Sequence, residues 1–240
     1  MYKRISTLLL LALLAQTAFA QMAIGGKAVY IGGRVGGNIT TIGKNPGAIM
    51  GGFGINTNRL KDNPRIIGGF KTGIQAGAIL DFPATEQLHV QPGIIFVQQG
   101  SRMKWKDKNA PNDVMKAKVT LNYIQIPITV QHKKERIRTT RLIQAGPYVA
   151  VGLGGKIEEK YFQKGDLTYT GGWQIHMGKD EKIYDYQKLD FGMSAGYGYQ
   201  FRSVQAVLTY SIGLKNINMK SSAFSPRVYN SGLSFTLTFL

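Results

Sequence analysis

The sequence predicts an all-β protein, an eight-stranded antiparallel up-and-down transmembrane β-barrel with long extracellular loops and short periplasmic turns. Three observations carry that prediction. Eight segments of alternating apolar and polar residues recur from about residue 28 onward, each long enough to cross a bilayer as a tilted strand of about 9 to 11 residues. The connections between them alternate long and short along the chain. Ahead of them stands a segment with the marks of export.

Lys3 and Arg4 precede the apolar run Leu8 to Ala15, and Ala18-Phe19-Ala20 has the small-x-small pattern of a signal-peptidase site before Gln21. Residues 1–20 therefore read as a secretory signal and 21–240 as the barrel domain. The apolar run is too short for a membrane-spanning helix. The chain holds no cysteine, which excludes disulfides, thiolate metal sites, a cysteine nucleophile and a lipidated N-terminal Cys. Glycine supplies 30 of 240 residues, well above the roughly 7% of ordinary usage, and this argues against a helical fold. Lys and Arg number 30 against 13 Asp and Glu, a formal charge of +17, which signal removal lowers by two. For an exported chain such a balance points to anionic lipids or glycans rather than nucleic acid.

Taken in order, Val29, Ile31 and Val35 oppose Arg34, Asn38 and Thr40. Phe70, Ile74, Ala76 and Leu80 oppose Lys71, Gly73, Gln75 and Gly77; Leu88, Val90, Ile94 and Phe96 oppose His89, Gln91 and Gln99. Ile124, Ile126, Ile128 and Val130 face away from Tyr123, Gln125, Thr129 and Gln131, and Ile143, Ala145, Val149, Val151 and Leu153 from Gln144, Gly146 and Tyr148. The last three segments are the most regular: Leu189 to Phe201 with Asp190 and Gln200 on the polar face, Val204 to Leu214 with Gln205, and Leu233 to Phe239. Period two in these last segments leaves little room for helix. Pro92, Pro127 and Pro147 each remove a ladder donor and require a bulge or a local gap in pairing.

A soluble ligand-carrying barrel also alternates, but it keeps its apolar face inside. Here glycine shares the polar face with Gln, Ser, Thr, Arg and Lys, while the other face carries large apolar residues with Phe and Tyr toward strand ends. That is the inverted arrangement of a membrane barrel. The polar lumen network comprises Arg34, Lys71, Gln75, Gln91, Tyr123, Gln125, Gln144, Tyr148, Asp190, Gln200 and Gln205, with Asp190 open to pairing with a lumen Arg or Lys. Eight strands leave an interior that side chains fill, which disfavours a wide pore and leaves a narrow channel as the alternative.

The connections expected to be long run over about 25 residues between the first two strands, from Ser101 to Lys118, from Lys156 to Gln187, and from Lys215 to Val228. Short ones fall at Asp81 to Gln87, His132 to Thr140 and Arg202-Ser203, so both mature ends lie on the periplasmic side. Within the third long segment, Tyr161-Phe162 and Leu167-Thr168-Tyr169-Thr170 are able to pair as a hairpin. A basic loop is expected from Arg102, Lys104, Lys106, Lys108, Lys116 and Lys118, a basic turn from Lys133, Lys134, Arg136, Arg138 and Arg141, and interfacial anchors from Trp105 and Trp173.

Five segments resemble, in order, the strand motifs of the PorT-type outer-membrane β-barrel family of Bacteroidota: Gln91 to Gly100, Tyr123 to Ile128, Ala145 to Gly152, Asp190 to Phe201 and Tyr210 to Ile217. The resemblance covers the chain from about Val29 to its end. It implies an outer-membrane location and, more narrowly, a link to type IX protein secretion. Asn230 to Leu237 looks like an outer-membrane assembly signal, with Gly232 followed by Phe235, Leu237 and Phe239 for the insertion machinery, although Leu240 rather than an aromatic is the final residue.

No enzymatic chemistry is expected. His89 reads as a hydrogen-bonded lumen residue, His132 lies by a turn, and His176 with Asp180 or Glu181 is the one candidate dyad. The glycine clusters at Gly51 to Gly54 and Gly152 to Gly155 open no helix, and Ile157 follows Lys156 where a phosphate loop needs Ser or Thr. Asp180, Glu181 and Asp185 lack calcium-loop spacing. The expectation is therefore no cofactor and no metal, with outer-membrane lipids, lipopolysaccharide, the insertion machinery and secretion-system subunits as partners. A rim-located lipid-modifying enzyme is the further alternative.

Overall fold

The computed structural model describes residues 21–24, 27–43, 65–106, 112–135, 139–178, 186–217 and 227–240. The expected signal segment, the first long loop with Gly51 to Gly54, and Lys108, Arg136, Arg138, Asp180, Glu181 and Asp185 lie outside them. The strands are β1 (Gln21–Ile24), β2 (Lys27–Gly43), β3 (Arg65–Pro83), β4 (Leu88–Lys106), β5 (Val114–Glu135), β6 (Thr140–Gln163), β7 (Asp166–Ile175), β8 (Met177–Gly178), β9 (Tyr186–Gln187), β10 (Leu189–Phe201), β11 (Val204–Gly213) and β12 (Tyr229–Phe239).

Eight of them close into a ring. β2 pairs β3, then β4, β5, β6, β10, β11 and β12 follow, and β12 returns to β2 along the seam from Tyr229↔Gly43 to Phe239↔Gly33. Every neighbour in the ring is antiparallel. Closure pairs both sides of each strand, so no edge is left unsatisfied in hydrocarbon. β1 folds back on the start of β2, β7 pairs the far half of β6, and β8 with β9 forms a two-residue parallel bridge.

Alternation sets two faces, as expected. Ile94 (62% exposed), Ile143, Val149, Leu153, Phe191, Met193 and Phe235 stand on the outside, while Arg34, Gln91, Gln144, Asp190 and Gln205 are buried in the lumen. On β6 the outward apolar row runs from Ile143 to Leu153. Ten steps along a strand tilted by about 40° rise roughly 25 Å, the height of a membrane-embedded band. Tyr197 and Tyr199 meet edge to face near the periplasmic end of β10, with a 3.0 Å hydroxyl contact, as part of an aromatic girdle. Val29, expected on the outer apolar row, is buried. The prolines cost local pairing. No paired positions lie between Pro92↔Ile128 and Ile95↔Gln125, nor between Pro127↔Tyr148 and Val130↔Ala145; the second gap also takes in Pro147, which stays paired with Met193 on the β10 side.

The wall is taller on one side than the sequence implied. β3 and β4 have 19 residues each, β5 has 22 and β6 has 24, against 13, 10 and 11 for β10, β11 and β12. The basic loop expected from Ser101 to Lys118 is mostly strand: β4 runs to Lys106 and β5 starts at Val114. Between the cations sit Met103, Ala117 and Val119, an inward apolar row whose period the charges disguised. The segment after Lys156 also stays in strand, and β6 and β7 form the hairpin, with Tyr161↔Tyr169 and Phe162↔Leu167. Its turn places Lys164 at φ 51° and Gly165 at φ 100°, which glycine adopts without strain.

Candidate functional site

The lumen is layered. At the periplasmic mouth, Asp81 accepts hydrogen bonds from Lys133 Nζ at 3.0 Å and from His89 Nδ1 at 3.0 Å. This cluster borders a cavity of about 350 Å³ that Tyr30, Glu86, Glu135 and Arg202 also line. His89 is thus a hydrogen-bonded lumen residue, as expected, with Asp81 as its partner. Asp81 and Lys133 fall in an expected link and turn, but their parity with Gln75 on β3 and Gln131 on β5 points them inside, where both are buried.

Above the mouth lies a glutamine girdle. Gln131, with 0% exposure, donates through Nε2 to Gln91 Oε1 and Gln144 Oε1, both at 2.8 Å, and to Gln205 Oε1 at 3.3 Å. Gln205 Nε2 donates to Gln200 Oε1 at 3.1 Å, and Gln144 Nε2 to Thr209 Oγ1 at 3.1 Å. Arg34 binds across the ring, from Nε to Thr238 Oγ1 at 2.9 Å and from NH2 to Gln91 Oε1 at 3.1 Å. Side chains from β2, β4, β5, β6, β10, β11 and β12 thereby meet on the axis. Five of the residues expected in the lumen network, Arg34, Gln91, Gln144, Gln200 and Gln205, are joined here, with Gln131, Thr209 and Thr238 added.

A cavity of about 50 Å³ follows, lined by Asn38, Gln75, Gln99, Gln125 and Tyr148 among others. Gln75, Gln125 and Tyr148 are thus in the lumen as expected, but outside the girdle. Higher still, Asn230 Nδ2 donates to Asp190 Oδ2 at 2.8 Å and approaches Tyr123 OH at 3.4 Å. Asp190 therefore takes an amide partner, not the Arg or Lys left open by the sequence. The top is apolar: Val119, Leu121, Tyr123, Tyr148 and Ala150 pack with Ile175 and Ile217, and Met177, Tyr186 and Val228 lie against them. The lumen is polar below and roofed by hydrocarbon above, with Tyr123 and Tyr148 of the expected network packed into that roof.

Lys71 departs from its assignment in a different way. Its partner Thr40 places its Cβ on the lumen side, yet its ammonium donates to Gln98 Oε1 and to the Thr72 carbonyl, each at 3.1 Å. Gln98 belongs to the outward row with Ile94 and Phe96. The β3–β4 register shifts between Phe70 and Gln75, and a Cβ on Gly100 would stand 2.8 Å from Lys71 Cδ. The side chain passes through that gap in the ladder instead of joining the glutamines.

On the outer wall, Lys118 Nζ and Lys156 Nζ converge on Glu158, at 3.1 Å to Oε2 and 2.7 Å to Oε1. Hydrogen bonds from Lys156 and then Lys118 pull the Glu158 carboxyl from its ordinary value down to about 2. Lys116 Nζ sits 4.2 Å from the centroid of the Phe162 ring. Arg102, Lys104 and Lys106 on β4 and Lys116 and Lys118 on β5 are strand residues. Gly232, Phe235, Leu237 and Phe239 lie in β12 beside the closing seam. His132 and His176 are exposed. Among the described residues no cluster of three or more His, Asp or Glu is arranged to hold a metal ion.

A closed ring of antiparallel strands, apolar outside and polar within, defines an outer-membrane β-barrel protein. The chain belongs to the family of the outer membrane protein beta-barrel domain, whose model matches residues 19–218. No curated protein matches it in sequence. Similar solved structures include Ail, the attachment invasion locus protein of Yersinia pestis, in complex with the heparin analogue sucrose octasulfate. That pair has 9% identity and a TM-score of 0.36, covering 87% of this chain and 96% of Ail. Ail crystallised without that analogue gives the same identity and coverage with a TM-score of 0.34.

Proposed function

We propose that this barrel is a non-enzymatic envelope component of PorT type, acting in binding and assembly at the outer membrane in association with type IX protein secretion. The observation that carries the reading is the blocked lumen: Gln131 ties Gln91, Gln144 and Gln205 together on the axis, and Ile175 and Ile217 roof the chamber above. A barrel filled in this way is suited to work through its rims and walls rather than by passing solutes. The five PorT-like strand segments supply the secretion half of the reading. Insertion by the outer-membrane assembly machinery, with Gly232, Phe235, Leu237 and Phe239 as the recognised strand, belongs to the same proposal.

The test is crosslinking and affinity purification of the tagged protein from native outer membranes, with a cargo-export assay in a deletion strain. Recovery of secretion-machine subunits together with lost export is the expected result. A barrel that comes out alone from a strain with normal export would reduce the PorT likeness to one of fold.

A further inference from the structure

Above the apolar band, the outward rows of β4, β5 and β6 change character together. Phe96, Ile124 and Val151 stand level with one another, and Leu153 ends the band on β6. Next come Gln98 and Asn122, joined from Gln98 Nε2 to Asn122 Oδ1 at 3.3 Å. Then the row holds Arg102, Lys104, Lys116, Lys118, Lys156 and Lys160, with Glu158 as the one carboxylate among these described positions. Three to five residues of tilted strand separate Leu153 from Lys156 and Glu158, which puts them about 8 to 13 Å above the hydrocarbon edge. That is headgroup height.

The sheet pairs these cations against each other. Arg102 lies opposite Lys118, Lys104 opposite Lys116, and Lys116 opposite Lys160. Like charges directly across a ladder are destabilising, so an anion that bridges the strands would relieve a conflict built into the fold. The converging geometry is already present, because Lys118 and Lys156 grip the two oxygens of a single carboxylate. The Lys71 ammonium, buried and bonded to Gln98, adds its charge to this field from behind the surface.

We propose that this outer wall of β4, β5 and β6 binds the phosphorylated headgroup of an outer-leaflet glycolipid. A membrane lipid is the occupant, rather than a soluble polyanion, because the cations continue the lipid-facing row. Acyl chains lie along Ile94, Ile126 and Leu153 while the phosphates reach Arg102, Lys118 and Lys156. Glu158 is the internal competitor for the same ammonium groups. The inference rests only on the outer-membrane location, so its failure leaves the secretion reading untouched.

The test is native mass spectrometry of the full-length barrel in detergent micelles, titrated with bisphosphorylated lipid A, with the same lipid stripped of phosphate, and with inorganic phosphate alone. The Arg102→Gln, Lys118→Gln, Lys156→Gln variant should lose at least about tenfold in lipid A affinity. Glu158→Gln should tighten binding, and Lys134→Gln, at the opposite periplasmic end of β5, should leave it unchanged. Heat-modifiable gel mobility establishes that each variant is folded, and Arg102→Lys alone, which keeps the charge, should bind lipid A at near the wild-type level. Equal affinity of the triple variant, equal binding of the dephosphorylated lipid, or displacement of lipid A by millimolar inorganic phosphate would each overturn the proposal.

Discussion

Gln131→Leu tests whether the lumen is held by its glutamine girdle. Gln131 is fully buried and donates two bonds of 2.8 Å, to Gln91 and Gln144. The losses are unequal. Gln91 Oε1 keeps Arg34 NH2 at 3.1 Å, and Gln205 Nε2 keeps Gln200 Oε1 at 3.1 Å, but Gln131 is the donor that Gln144 Oε1 depends on within the girdle. One orphaned buried acceptor costs about 1–3 kcal/mol, partly offset by the greater apolar transfer of leucine, so the net loss should be about 1 kcal/mol. The assay is reversible urea unfolding of the barrel inserted in phospholipid vesicles. Adding Gln144→Leu removes the orphan along with its partner, so the double variant should lose about 1 kcal/mol less than the sum of the singles. A single-variant loss below about 0.5 kcal/mol, or strict additivity, would refute the claim that these amides form one network.

Other substitutions probe the wall and the mouth. Val149→Arg, near mid-height on the outer row of β6, should destabilise the inserted barrel by about 2–4 kcal/mol, whereas Leu153→Arg at the band edge should cost about 1 kcal/mol or less by the same unfolding assay. Asp81→Asn leaves the Lys133 ammonium without its carboxylate, and should cost about 2 kcal/mol or more, discounted for the adjoining open cavity. The Glu158 carboxyl, depressed to about 2, should titrate there in a carbon-detected NMR experiment on labelled barrel. Because its folded value is lowered, its stabilising contribution is complete above about pH 4.5 and disappears as pH falls toward 2; a midpoint near 4.5 would show that Lys118 and Lys156 do not hold it. Purified barrel in planar bilayers should give no stepwise conductance, and resolved single-channel steps would favour the narrow-channel reading.

The strands that face lipid were the most legible, because hydrocarbon outside and polar groups inside impose a strict period of two from Leu189 to Phe201 and again along β12. The same rule places Arg34, Gln91, Gln144, Gln200 and Gln205 on the inner face, where the girdle joins them. It failed where charge or covering loops changed the environment. Lys116 and Lys118 read as loop because soluble loops are charged, yet Ala117 and Val119 between them keep the strand's alternation. Lys71 shows a different limit: its parity gave the correct side for Cβ, but a break in the β3–β4 register let its long side chain leave that side. The apolar roof depends on Ile175, at the end of β7 outside the closed ring, and on Ile217, in the connection after β11, so no single ring strand carries its signal.

The tall side of the wall explains both features that the sequence did not separate. Above the band, the extensions of β4, β5 and β6 turn one set of alternate residues inward, where Val119, Leu121 and Ile157 close the lumen with Ile175 and Ile217. The intervening set, Arg102, Lys118, Lys156 and their neighbours, is thereby forced outward at headgroup height. Sealing the lumen and presenting cations are the two faces of one pleated sheet. A register slip of one residue in β5 would exchange them, burying lysine in the roof and exposing leucine, at a cost no barrel of this size could absorb. The positive field on this wall is therefore fixed by the apolar packing behind it, and the bulges at Asn122/Tyr123 and Phe70/Gln75 mark the level at which the membrane wall gives way to that raised surface.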